Sequence, residues 1–210
     1  MTSDRQRRLA TLQRQLCLES GPARPARQDC PAPCSAVSAS AGSHFFAPPA
    51  LPARSPTALE LAEYDATGVV CLREVFPLDW IETMQAAVDV AMADPTEFAE
   101  EYTPTNAQSG RFFGDLDVWR KHSEFARFVH ESAAAAIAAA VMRSSSATFF
   151  YDQLLVKEAG TAERTPWHQD RPYWAVQGTQ VASVWLPLDS IPATSAVEYV
   201  SGSHLWVSFI

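Results

Sequence analysis

The chain has no run approaching 18 apolar residues, so nothing in it reads as a membrane-spanning helix. It is short of basic residues. Sixteen Lys and Arg against 24 Asp and Glu leave a net charge of −8, which argues against general nucleic-acid binding, a function that needs a basic footprint. Arginine is absent after Arg171 and lysine after Lys157. Cysteine is sparse as well: Cys17, Cys30, Cys34 and Cys71 lack the spacing of a zinc knuckle or a redox pair, and free thiols in a reducing compartment are expected. What is present is 47% hydrophobic content, enough for a real core in one domain of ordinary size plus extras.

Residues 1–55 differ from the rest. Seven arginines against three acids make them basic, so the remainder is more acidic than the whole. Leu9, Leu12 and Leu16 share a helical face, which predicts a short helix over 5–19. The Pro-, Ala-, Ser- and Arg-rich stretch 21–56 excludes regular structure after it. The segment reads as a disordered extension, and an Arg-, Ser- and Ala-rich, acid-poor start also has the composition of an organellar transit peptide. It lacks the continuous apolar core of a secretory signal. The cytoplasm is the expected location, an organelle the alternative. Residues 56–210 are expected to form one folded domain.

Thr57 as N-cap and Glu60 in the capping-box place predict a helix to Ala66, closed by a turn at Asp65–Gly68. Val69–Leu72 reads as a short buried strand. Ile81, Met84, Ala87, Val88 and Ala91 recur at helical spacing and predict a helix over 79–92, stopped by Asp94-Pro95. Helices follow over 124–129 and 132–142, the second almost pure alanine with Ile137 and Val141 as its larger contacts. From Thr148 the period changes to two: Phe150, Asp152, Leu154 and Val156 alternate with Gln153, Leu155 and Lys157. Gln180–Leu188 is a second such strand, with Val181, Ser183 and Trp185 on one face and Ala182, Val184 and Leu186 on the other. Val197–Val200 is a third. Helices first and short strands after suggest a β-sandwich or barrel with helices outside one sheet.

The stretch that carries chemistry is Pro166 to Trp174. His168 and Asp170 stand two residues apart, and in an extended segment they would face the same way. One His and one carboxylate are two thirds of the facial triad of non-haem Fe(II) oxygenases. The bare His-x-Asp pair is common, and a surface imidazole beside a solvated carboxylate is its bland reading.

Four stretches together are more specific: Phe149-Phe-Tyr-Asp-Gln-Leu-Leu-Val-Lys157, Thr165-Pro-Trp-His-Gln-Asp170, Ser183-Val-Trp-Leu-Pro-Leu188 and Val197-Glu-Tyr-Val-Ser-Gly-Ser-His204. In this order and spacing they resemble the phytanoyl-CoA dioxygenase family of Fe(II)/2-oxoglutarate oxygenases, over residues from about 57 to 206. The upstream Gly110-Arg-Phe-Phe-Gly-Asp-Leu-Asp-Val-Trp119 resembles a bacterial-type subgroup. The resemblance implies a mostly β fold with flanking helices, a double-stranded β-helix of the cupin-like jelly-roll kind. It implies hydroxylation of a small metabolite or acyl derivative, with 2-oxoglutarate converted to succinate and CO₂ at the expense of O₂. His168 and Asp170 match the first two iron ligands. Gln153, Lys157 and Trp185 would contact the co-substrate, as an amide donor, a point charge and a flat wall with one N–H. Arg111 and Tyr173 would line the substrate side. No catalytic residue is expected beyond the metal ligands.

Each residue also has a structural reading: Trp185 as core, Lys157 as a strand-end charge, Tyr173 as a plug of the barrel end. His44, His122, His130 and His204 are read as structural. The family's distal His and the Arg that pairs with 2-oxoglutarate follow the Gly-Ser-His turn, and no residue of 205–210 fills either role. The expectation is an oxygenase by descent that lacks these two groups, incomplete at the C-terminal side and with little turnover. The alternative is a non-catalytic fragment or binding protein derived from that fold.

Overall fold

The computed structural model describes the backbone of residues 8–17 and residues 46–103, 110–161, 164–174, 176 and 178–206. His44, Cys30, Cys34 and the side chains of Leu9, Leu12 and Leu16 lie outside the described residues.

Among the described residues, four α-helices and one antiparallel sheet make the architecture. Helix α1 spans Ala58–Thr67, and its capping box is made as the sequence predicts: Glu60 N–H donates to Thr57 Oγ1 and Thr57 N–H to the Glu60 carboxylate. Gly68 closes it at φ +80°, a left-handed conformation that favours glycine. Helix α2, Leu78–Ala93, buries Met84, Ala87, Val88 and Ala91, the helical stripe expected from the sequence. Helices α3, Ser123–Glu131, and α4, Ala134–Val141, follow the same logic, with Phe125, Phe128, Ile137 and Val141 buried.

The sheet has five strands in the order β2-β3-β4-β1-β5. They are β1, Arg8–Cys17; β2, Glu100–Glu101; β3, Phe112–Leu116; β4, Thr148–Glu158; and β5, Val181–Pro187. Strand β1 runs antiparallel to both β4 and β5. This corrects the helix expected over 5–19: hydrogen-bond ladders on two sides override a local helical pattern.

The helices cover one sheet face. Met84, Val88, Phe125 and Phe128 pack there with Phe113, Leu154, Val156, Leu186 and Leu188. On β5 the faces divide as read, with Ala182 and Leu186 buried under the helices. Gln85 Nε2 donates to Leu188 O at 2.6 Å and ties α2 to the end of β5.

Two buried carboxylates brace this layer. Asp115 accepts from Thr96 N–H and Leu116 N–H, both at 2.9 Å, and from the Thr96 hydroxyl. Asp152 accepts from Trp119 N–H at 3.2 Å. Phe46, Ala47 and Ala50 lie along α3: Phe46 stacks on His130 at 4.2 Å and Ala50 N–H donates to Glu131 O at 2.7 Å.

Two expected strands are not strands. Val69–Leu72 is irregular and half-buried to exposed. It has no neighbouring ladder among the described residues and serves as a bridge from Gly68 to Val75, which packs with Ala133 and Ile137. Val197–Val200 is irregular too, with Val197 and Tyr199 exposed; a strand needs a partner to satisfy its N–H and C=O groups, and none lies alongside among the described residues. The result is a mixed α/β arrangement with one small antiparallel sheet rather than a mostly β one. A second facing sheet, which a jelly-roll requires, is not present among the described residues. The Gly-Ser-His turn closes back on α1. Gly202 N–H donates to Thr67 O at 2.8 Å, and the His204 ring sits where a Cβ at Gly68 would come within 2.2 Å of it.

Candidate functional site

The sheet face opposite the helices is open. Along β4, Asp152, Leu154 and Val156 are buried beneath the helices, which leaves Gln153, Leu155 and Lys157 half-buried on the other side. Gln153 and Trp185 both register with Gln13 of β1, so they occupy one row across the sheet, about 10 Å apart at the strand spacing. Both alternate with residues of the helix-side core, Leu154 and Leu186, so both belong to the open face. The two-residue period thus brings two of the expected co-substrate contacts onto one surface.

Lys157 is at the far end of the same face. Its ammonium lies 4.2 Å from the Phe112 ring centroid, and its Nζ donates to Thr165 Oγ1 at 3.3 Å. Thr165 opens the segment that carries His168, so this bond links β4 to the approach of the His-x-Asp pair.

His168 and Asp170 come together, though not by the extended geometry expected. The 166–169 segment is irregular and Asp170 has helical dihedrals (φ −70°, ψ −37°), opening a 3-10 turn over Arg171–Tyr173. His168 Nε2 nevertheless stands 3.0 Å from Asp170 Oδ1. Its other nitrogen, Nδ1, lies 2.7 Å from Pro166 O. A carbonyl only accepts, so Nδ1 carries the proton and Nε2 presents its lone pair to the carboxylate. Two acceptors at this separation need a positive species between them, either a second proton or a cation. The donor set, one imidazole nitrogen and one carboxylate oxygen on a partly exposed loop, suits a divalent transition metal. The backbone carbonyl that fixes the ring is the usual support of a metal-binding His. No cluster of three His, Cys, Asp or Glu side chains stands ready for a metal among the described residues. The pair therefore fits two ligands of an iron site and leaves a third unassigned.

The other histidines are placed elsewhere. His122 Nε2 pairs with Asp94 O at 3.0 Å, His130 stacks on Phe46, and His204 covers Gly68. Arg111 is committed at the β2–β3 edge: its guanidinium pairs with the Glu101 carboxylate and lies over Phe113, a residue of the helix-side core. Glu101 is the leading cause that holds the Arg111 guanidinium above its ordinary value. Tyr173 lies on the turn that begins at Asp170 and is 80% exposed.

Two residues near the site were not read from the sequence. Tyr199, more than half exposed, has its phenol pushed up, by the partial burial of its ring first and by the charge of Asp170 second. It sits in the stretch read as a strand, and nothing in its pattern signals that neighbour. Tyr102 lies over Gly114 of β3, where a Cβ would come within 2.6 Å of the phenol ring. A glycine inside an aromatic strand was the available signal.

A family model described as phytanoyl-CoA dioxygenase (PhyH) matches residues 64–209. The match spans most of the chain, and the protein belongs to that family. No curated protein matches it, and no solved structure matches it. The family carries dioxygenase chemistry of the Fe(II)/2-oxoglutarate type, and membership in it implies oxidoreductase chemistry on a small molecule at that level. No helix among the described residues is long and apolar enough to cross a membrane.

Proposed function

We propose that the chain is built to hydroxylate a small metabolite or acyl derivative with Fe(II), O₂ and 2-oxoglutarate. The observation that carries this is the convergence of His168 Nε2 and Asp170 Oδ1 at 3.0 Å with Nδ1 held by Pro166 O. His168 and Asp170 would hold the iron. When bound, it supplies oxygen activation coupled to decarboxylation of the keto acid. The protein's own task is positioning. Gln153 offers amide N–H donors to the keto acid, Trp185 in the same row offers a flat wall and an indole N–H, and Lys157 offers a positive charge near Thr165. Tyr173, exposed next to Asp170, would meet the substrate, and Arg111 would reach it only by leaving Glu101. The free, exposed Cys71 thiol suits a reducing compartment, and we place the protein in the cytoplasm.

The test is a titration with Mn(II), a redox-stable stand-in for Fe(II). One-to-one binding that His168→Ala and Asp170→Ala each abolish is the expected result; undiminished binding in both variants would overturn the assignment. A second reading, a binding protein that has kept the fold without turnover, is supported by the lack of a third His, Cys, Asp or Glu grouped with His168 and Asp170 among the described residues. It predicts no 2-oxoglutarate-dependent CO₂ release from the chain with Fe(II) present.

A further inference from the structure

Lys157 is one of only two lysines in the chain, the other being Lys121. It is also the one cationic residue of the β4 face assigned above to the co-substrate. A lysine side chain has four rotatable bonds, so an ammonium in a binding site must be held if it is to act at one place. The hold on Lys157 can be traced outward. Phe112 is its cross-strand partner in the β3–β4 register, and the ammonium rests 4.2 Å from that ring. Opposite-strand pairs of this kind share a face of the sheet, and a cation over an aromatic face is attracted by the ring quadrupole.

Phe112 is itself fixed. It is buried, and the Tyr102 ring leans against it at 4.7 Å and 47°. Tyr102 is anchored at its backbone, where its N–H donates to Phe112 O at 2.8 Å. One residue on, Thr103 Oγ1 accepts from Phe112 N–H at 2.6 Å. The Tyr102 ring can lie there only because Gly114 has no side chain: a Cβ would meet ring carbon Cε2 at 2.6 Å and the phenol oxygen at 3.0 Å. The series runs from Gly114 through Tyr102, Phe112 and Lys157 to Thr165, three residues before His168.

We propose that Tyr102 is a positioning residue: seated on Gly114 and acting through Phe112, it holds the Lys157 ammonium at the entrance of the His168 loop for the carboxylate of the co-substrate. This rests on the reading of Lys157 as a co-substrate contact. It is the ring of Tyr102, not its hydroxyl, that does the work.

The two parts can be tested separately. Reductive methylation with ¹³C-formaldehyde labels the two lysines and the α-amino group, and Lys157→Arg assigns the Lys157 signal. In the unmodified sequence that signal is expected upfield, shifted by the Phe112 ring. It should move toward the free-lysine position in Tyr102→Ala and Gly114→Ala and stay in place in Tyr102→Phe. An unmoved Lys157 signal in Tyr102→Ala overturns the proposal. In parallel, 2-oxoglutarate binding is measured by calorimetry with Mn(II) present. Tyr102→Ala should weaken it about five-fold, the scale of one cation–π contact, with Tyr102→Phe unchanged and Lys157→Met weakened at least as much. If the signal moves but neither Tyr102→Ala nor Lys157→Met alters 2-oxoglutarate binding, the lysine is held as described yet does not serve the co-substrate. The proposal then falls through the reading of Lys157 and not through the geometry.

Discussion

The two faces of β4 lie on the same eleven residues and have opposite surroundings. Asp152, Leu154 and Val156 are sealed beneath α2 and α3, whereas Gln153, Leu155 and Lys157 stand half-open beside Trp185 and the approach to His168. Stability is concentrated on the first face, and the contacts proposed for the co-substrate lie on the second. Such a division lets a strand carry polar ligand contacts without placing them in the core, where the strand's one buried carboxylate, Asp152, is hydrogen-bonded and each unpaired polar group would cost about 1–3 kcal/mol.

The sharpest way to break this comparison is to truncate neighbours. Leu154→Ala should lower unfolding free energy by about 3 kcal/mol, since the side chain is fully buried, while Leu155→Ala should cost less than about 1.5 kcal/mol. Urea unfolding of the pair decides it, and equal losses would refute the division. Next in size is Asp115→Ala. It leaves the Thr96 and Leu116 N–H groups without their acceptor and should cost about 2 kcal/mol in the same measurement.

On the open side, His168→Ala should shift stability by no more than about 0.5 kcal/mol, its ring being 46% exposed, and yet abolish Mn(II) binding. A large loss of stability would show that the loop belongs to the scaffold. The smallest effect concerns acid. The Arg54 guanidinium leads in holding the Glu60 carboxyl down at about 2, with Thr57 next. Its folded value is below the unfolded one, so its contribution is present above the ordinary carboxylate range and is lost as pH falls toward 2. Glu60→Gln should flatten stability against pH between about 4.5 and 2, a change visible by acid titration in circular dichroism.

Periodicity made the helices and the two faces of β4 and β5 readable. The capping box at Thr57 and Glu60 is written in adjacent residues and forms as read. What could not be read is partnership. Val69–Leu72 and Val197–Val200 have strand composition but no ladder beside them among the described residues, and Arg8–Cys17 has a helical pattern yet pairs on both sides. The site divides in the same way. His168 and Asp170 are neighbours in sequence, so their meeting was foreseeable, even though the backbone between them is not extended. Arg111 sits close to the expected motif but is claimed by Glu101, and Tyr102 reaches Gly114 on the neighbouring strand. Both depend on cross-strand register, which composition does not encode.

The clasp between Thr67 and Gly202, with His204 seated on Gly68, brings the two extremities of the family-matched span together in space. It follows that a bulky side chain at position 68 would do more than spoil one helix terminus: it would displace His204 and pry α1 away from the Gly202 turn.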